Sequence, residues 1–280
     1  MLGKLIKHEF RATGRIFLFV YLAVIVIAIL NLVVVPWESI VEHGSYSPDT
    51  STLLMGILRT TITTLYVLSI VAAVVVTLVV NIIRFYKNLL GDEGYLMFTL
   101  PVSKDSLIIS KLVVAFVWNI CTYVIIILSM LILFGRFDLF EAVGSFFDMA
   151  RSQGINVTMW ILMIVIAIIL YTLGALMMLY SAMSIGPNII KNRLGGSILA
   201  YIIIYIITQI ISTFILVGAG LLVDRTGIDW GAPTVGISNV QITNIVFNTV
   251  IGTGLILNAI IIIAGYITTR LMLKNKLNLT

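Results

Sequence analysis

The sequence predicts an all-α, polytopic membrane protein: six transmembrane helices, an N-terminal interfacial amphipathic helix, and a cytoplasmic segment between spans two and three. Three observations predict it. Six apolar runs lie at about residues 16–35, 60–83, 112–134, 157–185, 197–223 and 247–269, each reaching the ~20 residues that a helix needs to cross hydrocarbon. None of these runs contains Asp, Glu, Lys, Arg or His. Composition agrees, with 60% of the 280 residues hydrophobic, 10% charged, and a mean hydropathy of +1.16.

The elements follow in chain order as one membrane domain over residues 1–280. Residues 1–15 form an amphipathic helix, with Leu2, Ile6, Phe10 and Phe17 on one face and Lys4, Lys7, Arg11 and Arg15 on the other. Such a helix is expected to lie in the membrane interface and to turn into the first span near Gly14. Glu9 falls close to the apolar face, either as a snorkelling or locally paired carboxylate or as a contact to a partner. The first run is too long, and lacks a convincing small-residue cleavage site, to be a removable signal peptide. Pro36, Pro48, Pro101, Pro187 and Pro233 all sit at or beyond run ends, where a missing N–H costs little. Cys121 is the one cysteine, so no internal disulfide forms.

The connection at 84–111 is the most distinctive polar segment. Gly91 and Gly94 bracket Asp92 and Glu93, which permits a tight turn. Tyr95, Leu96, Met97, Phe98 and Leu100 follow as a short apolar stretch, Pro101 ends it, and Ser103 is placed to cap the helix that enters the third span. Spacing alone leaves two readings open: a docking element seated in a groove of another protein, or an amphipathic stretch resting on lipid headgroups.

Charge fixes an expected orientation. Arg59, Arg136, Arg151 and Arg225 fall on one set of connections, and the other 13 of 17 basic residues fall on the opposite set together with both termini. Glu38, Glu42, Asp49, Asp138, Glu141, Asp148, Asp224 and Asp229 follow the basic-poor side. The positive-inside rule then puts both termini in the cytoplasm. The net charge of +5 thus belongs to a basic face beside anionic lipid, and nucleic acid is not an expected partner.

Two stretches carry a family resemblance: Lys7-His8-Glu9-Phe10-Arg11, and Gly94-Tyr95-Leu96-Met97-Phe98-Thr99-Leu100-Pro101-Val102-Ser103 followed by Ser110-Lys111-Leu112. With the span count, they resemble the bacterial ABC-2-type transporter permeases, the six-span transmembrane subunits of ABC exporters. The resemblance implies a plasma-membrane permease that works as a homodimer or beside a related permease. It also implies a separate ATPase subunit that holds ATP and Mg, so this chain binds no cofactor of its own. Contact with that ATPase would fall to Lys7, Glu9 and Arg11, and to Asp92, Glu93, Tyr95, Phe98 and Pro101. A re-entrant element before the last span is also common in the family, and 236–246 is apolar enough to permit one.

Absences narrow the chemistry. Ion-coupled carriers usually hold a titratable group inside the membrane, and the six runs have none. No Gly-x-x-x-x-Gly-Lys-Ser/Thr loop is present to cradle a nucleotide. His8 and His43 are expected on opposite sides of the membrane, and no acid–base pair sits within a run, so neither a metal site nor an enzyme is expected. Polar uncharged residues do form stripes: Tyr201, Tyr205, Gln209 and Ser212 on span five; Thr63, Thr77 and Asn81 on span two; Asn244, Asn248 and Gly252 on span six. Such stripes serve helix packing or line a substrate route. A route so uncharged suits an amphipathic or lipid-like substrate, a hydrophobic peptide or an antibiotic better than a small ion. From another class comes the rival reading, a non-transporting scaffold or sensor that recruits a cytoplasmic partner through the same two elements.

Overall fold

A computed structural model describes residues 2–34, 50–90, 103–133, 138–152, 154–190, 193–224 and 239–275. Its elements are α1 (Leu2–Val34), α2 (Thr50–Phe85) with a π-helical turn (Tyr86–Leu90), α3 (Lys104–Leu133), α4 (Asp138–Ser152), α5 (Val157–Ile185) with a 3-10 turn (Gly186–Asn188), α6 (Arg193–Asp224) and α7 (Asn239–Asn275). Among the described residues there is no strand. Each of the six apolar runs is a helix long and apolar enough to cross a membrane. Their outer faces carry large apolar side chains such as Phe19, Val33 and Phe214, each at least 66% exposed, which suits hydrocarbon and not water. The chain is an all-α, multi-pass membrane protein.

Two compact units divide the chain, residues 1–85 with 109–141 and residues 86–108 with 142–280. In the first, α1 packs along α2, and Ala28, Tyr66 and Leu133 form a core flanked by Ile27, Ile70 and Ile132. Tyr66 closes it with a 3.0 Å hydrogen bond between its hydroxyl and that of Ser129. Asn31, fully buried, donates from Nδ2 to Thr63 Oγ1 at 3.4 Å.

In the second unit α5 is the central helix and packs most extensively on α7. Asn156 caps α5 by accepting from the Met159 N–H. Small residues let the helices approach: a Cβ on Gly265 would stand 3.0 Å from the Met177 Cβ and 3.1 Å from its carbonyl oxygen. The approach at the α5–α6 corner is closer still, since a Cβ on Gly186 would lie 2.3 Å from the Ser197 nitrogen and one on Gly196 would lie 2.1 Å from the Gly186 oxygen. Only glycine fits at either position.

Three differences from the sequence expectation are physical. Residues 2–15 are helical, with Lys4, Lys7, Arg11 and Arg15 exposed, yet no turn occurs at Gly14. Helix α1 runs unbroken because it is fastened to α3 on both sides of that glycine, by Glu9 before it and by Phe17 after it. Helix also takes up the described ends of the 84–111 segment: α2 and its π-turn reach Leu90, and α3 starts at Lys104, with Ser103 Oγ accepting from the Ser106 N–H at 3.2 Å. Finally, α4 was not expected; it is a 15-residue amphipathic helix whose Phe146 and Met149 are exposed.

Candidate functional site

Polar chemistry gathers in three places, one in the first unit and two in the second. The first is a closed network on α1 and α3. Lys111 and Glu9 form a buried, hydrogen-bonded ion pair, so the Glu9 carboxylate is paired within the chain and not held out toward a partner. One turn along, Thr13 donates to the Glu9 carbonyl at 2.9 Å and accepts from Trp118 Nε1 at 2.8 Å. The Trp118 ring stacks on Phe17 with centroids 4.4 Å apart and an interplanar angle of 16°. Tyr21 then donates to the Trp118 carbonyl at 3.0 Å and meets Thr122 at 2.9 Å, and Thr122 meets Thr77 of α2 at the same distance. The hydroxyls of Thr13, Tyr21, Thr122 and Thr77 each have a partner in this network, which is how a polar stripe rigidifies a helix bundle in lipid.

The second place is an open cavity of about 500 Å³ framed by α5, α6 and α7. Tyr201, Tyr205, Gln209 and Ser212 line it along α6, repeating at helical spacing as the sequence predicts. Tyr171 and Gly174 face them from α5, and Thr253 and Asn258 from α7. Gly174 lets α7 come close at this wall, because a Cβ there would stand 2.8 Å from Asn258 Oδ1. The walls are completed by apolar side chains, among them Met178, Ile215, Leu216 and Leu257. All the lining residues are uncharged. The size and the mix of apolar wall with a few polar groups are those of a small-molecule or lipid site.

A third cluster ties α3 to α7 within the second unit. Asp105 Oδ1 accepts from the Tyr266 hydroxyl at 2.9 Å and pairs with Arg270 Nε at 2.9 Å, while Lys104 Nζ donates to the Leu273 carbonyl at 3.3 Å. It fastens the start of α3 to α7. Among the described residues no group of three or more His, Cys, Asp or Glu is placed to hold a metal ion.

Of the sequence-predicted route residues, Tyr201, Tyr205 and Gln209 come together at the cavity. Thr63, Thr77 and Asn81 belong to the first unit, where Thr63 accepts from Asn31, Thr77 joins Thr122, and Asn81 is buried. Thr63 and Thr77 thus each have a hydrogen-bond partner on another helix, as packing residues do. Asn248 is half-buried on α7, with a buried Oδ1 that has no partner among the described residues, and does not line the cavity. The cavity-facing stripe of α7 is instead Val250, Thr253, Gly254, Leu257, Asn258 and Ile261. Its i, i+3, i+4 repeat was the available signal for Asn258 and Thr253. Of the expected coupling residues, Lys7 and Arg11 are exposed on α1 and Glu9 is the buried partner of Lys111. Asp92, Glu93, Tyr95, Phe98 and Pro101 lie outside the described residues, as do 236–238 of the segment considered for re-entry; from Asn239 onward that segment belongs to α7.

No family model, curated protein or solved structure matches the chain. The class that the fold defines is therefore the multi-pass α-helical membrane protein.

Proposed function

We propose that this chain is the permease subunit of an ATP-binding-cassette exporter of the ABC-2 type, set in a bacterial plasma membrane with both termini cytoplasmic. Two permeases, identical or related, would share a pair of ATPase subunits, and the cargo would be amphipathic, lipid-like or peptide-like. The observation that carries this reading is where the charges lie. Glu9 is neutralised by Lys111 and Asp105 by Arg270, whereas the cavity between the spans is lined by neutral side chains throughout. A carrier driven by protons or sodium needs a group at its cavity that binds and releases the ion. Here driving force has to enter from the exposed basic face of α1, through Lys7 and Arg11, and from the Asp92–Pro101 stretch. Glu9 then acts as a positioning residue, holding α1 against α3 so that a push on one is felt by the other.

Affinity purification of the tagged chain from its native membrane tests the proposal. A nucleotide-hydrolysing subunit in about equal amount is expected. Recovery of a kinase, or of a partner without ATPase activity, replaces the permease with a scaffold. In the assembled complex, Glu93→Arg is expected to leave ATP hydrolysis running while transport falls, because reversing a charge at a docked interface breaks the mechanical link. Uphill accumulation by the chain alone in vesicles, on a proton or sodium gradient, overturns the reading.

A further inference from the structure

We propose that the α5–α6–α7 cavity binds the headgroup of an uncharged, hydroxyl-rich amphiphile of the alkyl glycoside type, its tail lying along α6 toward Ile215 and Leu216.

Depth is the first argument. Tyr205 and Gln209 lie in the middle portion of the span Leu194–Gly218, far from either headgroup layer. An interfacial tyrosine belt is therefore not what these residues form. Packing within the chain is not their use either, since Tyr171, Tyr201 and Tyr205 are 66%, 39% and 49% exposed and Gln209 is exposed as well. Among the described residues, nothing is hydrogen-bonded to the side-chain amide of Gln209 or to the hydroxyls of those three tyrosines. A bare amide facing acyl chains is strongly disfavoured, so the cavity calls for a polar occupant.

The type of occupant follows from the hydrogen-bonding inventory. Ser212 Oγ and Thr213 Oγ1 both donate to the Gln209 carbonyl at 2.9 Å, which leaves their oxygens as acceptors. Asn258 Nδ2 donates to the Gly254 carbonyl at 3.0 Å, which leaves its Oδ1 as an acceptor too. The Gln209 amide nitrogen and the tyrosine hydroxyls supply donors. Donors and acceptors thus both line one cavity without a charge among them. A hydroxyl both gives and takes a hydrogen bond, so a polyol satisfies such a surface from both sides. A sulfate or phosphate offers acceptors alone and a quaternary ammonium offers neither. Each would also bring an uncompensated charge into a low-dielectric site. The rings of Tyr201 and Tyr205 are near-parallel, with centroids 6.4 Å apart at 18°, and an aromatic face at this wall suits the C–H face of a sugar ring. Beyond them along α6, Ile215 and Leu216 continue the cavity as an apolar channel for a tail.

That the amphiphile is the exported cargo rests on the permease reading; its binding does not. The test uses the full chain in polymer-bounded native discs, prepared without glycoside detergent, and an octyl glucoside carrying a photoreactive diazirine in its tail. Labelling is expected on peptides of α5, α6 and α7. Unlabelled octyl glucoside should displace it at roughly tenfold lower concentration than octyl sulfate or octyltrimethylammonium. Gln209→Leu and Tyr205→Phe should each lower labelling severalfold in protein that still elutes as wild type. Equal displacement by the charged octyl compounds overturns the proposal, as does unchanged labelling of well-folded Gln209→Leu protein, which would mean simple partitioning of the tail. Disulfide linkage of two Gln209→Cys chains, with no labelling of wild type, gives the cavity to a second copy and overturns it as well. Specific labelling with no co-purifying ATPase overturns the permease and keeps the site. An ATPase partner with unspecific labelling does the reverse.

Discussion

The α1–α3 network and the α5–α7 cavity are built from the same residue types, and they differ in whether those residues are finished. Around Trp118, threonine and tyrosine hydroxyls are bonded in series from Glu9 to Thr77 and the one ion pair is closed. Around Gln209, the tyrosine hydroxyls and the amide reach into open space. A polar group that a membrane helix has already satisfied internally serves packing; one left open serves something that arrives later. Composition does not separate the two cases. Satisfaction does.

The largest expected effect breaks the finished side. Lys111→Met alone strands the Glu9 carboxylate away from water and should destabilise the chain by about 3–5 kcal/mol, read from denaturation in lipid discs. Pairing it with Glu9→Leu removes both charges and should recover most of that loss; a double variant as unstable as the single would mean that packing, not charge, holds the site. Next comes the α5–α6 corner, where Gly186→Ala or Gly196→Ala drives a methyl into backbone atoms and should cost about 1–3 kcal/mol with a lower melting temperature. Smaller again is Trp118→Phe, which keeps the stacking on Phe17 but loses the donor to Thr13, for about 1 kcal/mol. The smallest sharpens the contrast: Gln209→Leu should leave stability within about 0.5 kcal/mol of wild type while binding at the cavity falls. A large stability loss there would make Gln209 a packing residue like Thr77.

Much of the fold could be read from the chain because lipid imposes a simple rule, and all six apolar runs became helices at their expected places. Helix α4 escaped notice because 15 residues that include Asp138, Glu141, Asp148 and Arg151 do not make a span. The continuity of α1 through Gly14 was not legible, since it depends on Trp118, more than 100 residues away in sequence. The same distance hid the partner of Glu9. At the site, helical spacing alone assembled Tyr201, Tyr205 and Gln209 correctly. It could not tell them from Thr63 and Thr77, because a stripe looks the same whether or not a neighbouring helix covers it. On α7 the asparagines near the helix start drew attention to Asn248, when the stripe that faces the cavity begins at Val250.

The tie between Asp105 and Arg270 is long in sequence, as is that from Asp105 to its other partner, Tyr266, 161 positions on. A ribosome releases the aspartate long before it supplies the guanidinium and the phenol. Until then the third helix begins with a carboxylate that has neither ligand. The seventh helix therefore acts as a late latch on the third: a nascent protein halted short of residue 266 keeps that start unfastened.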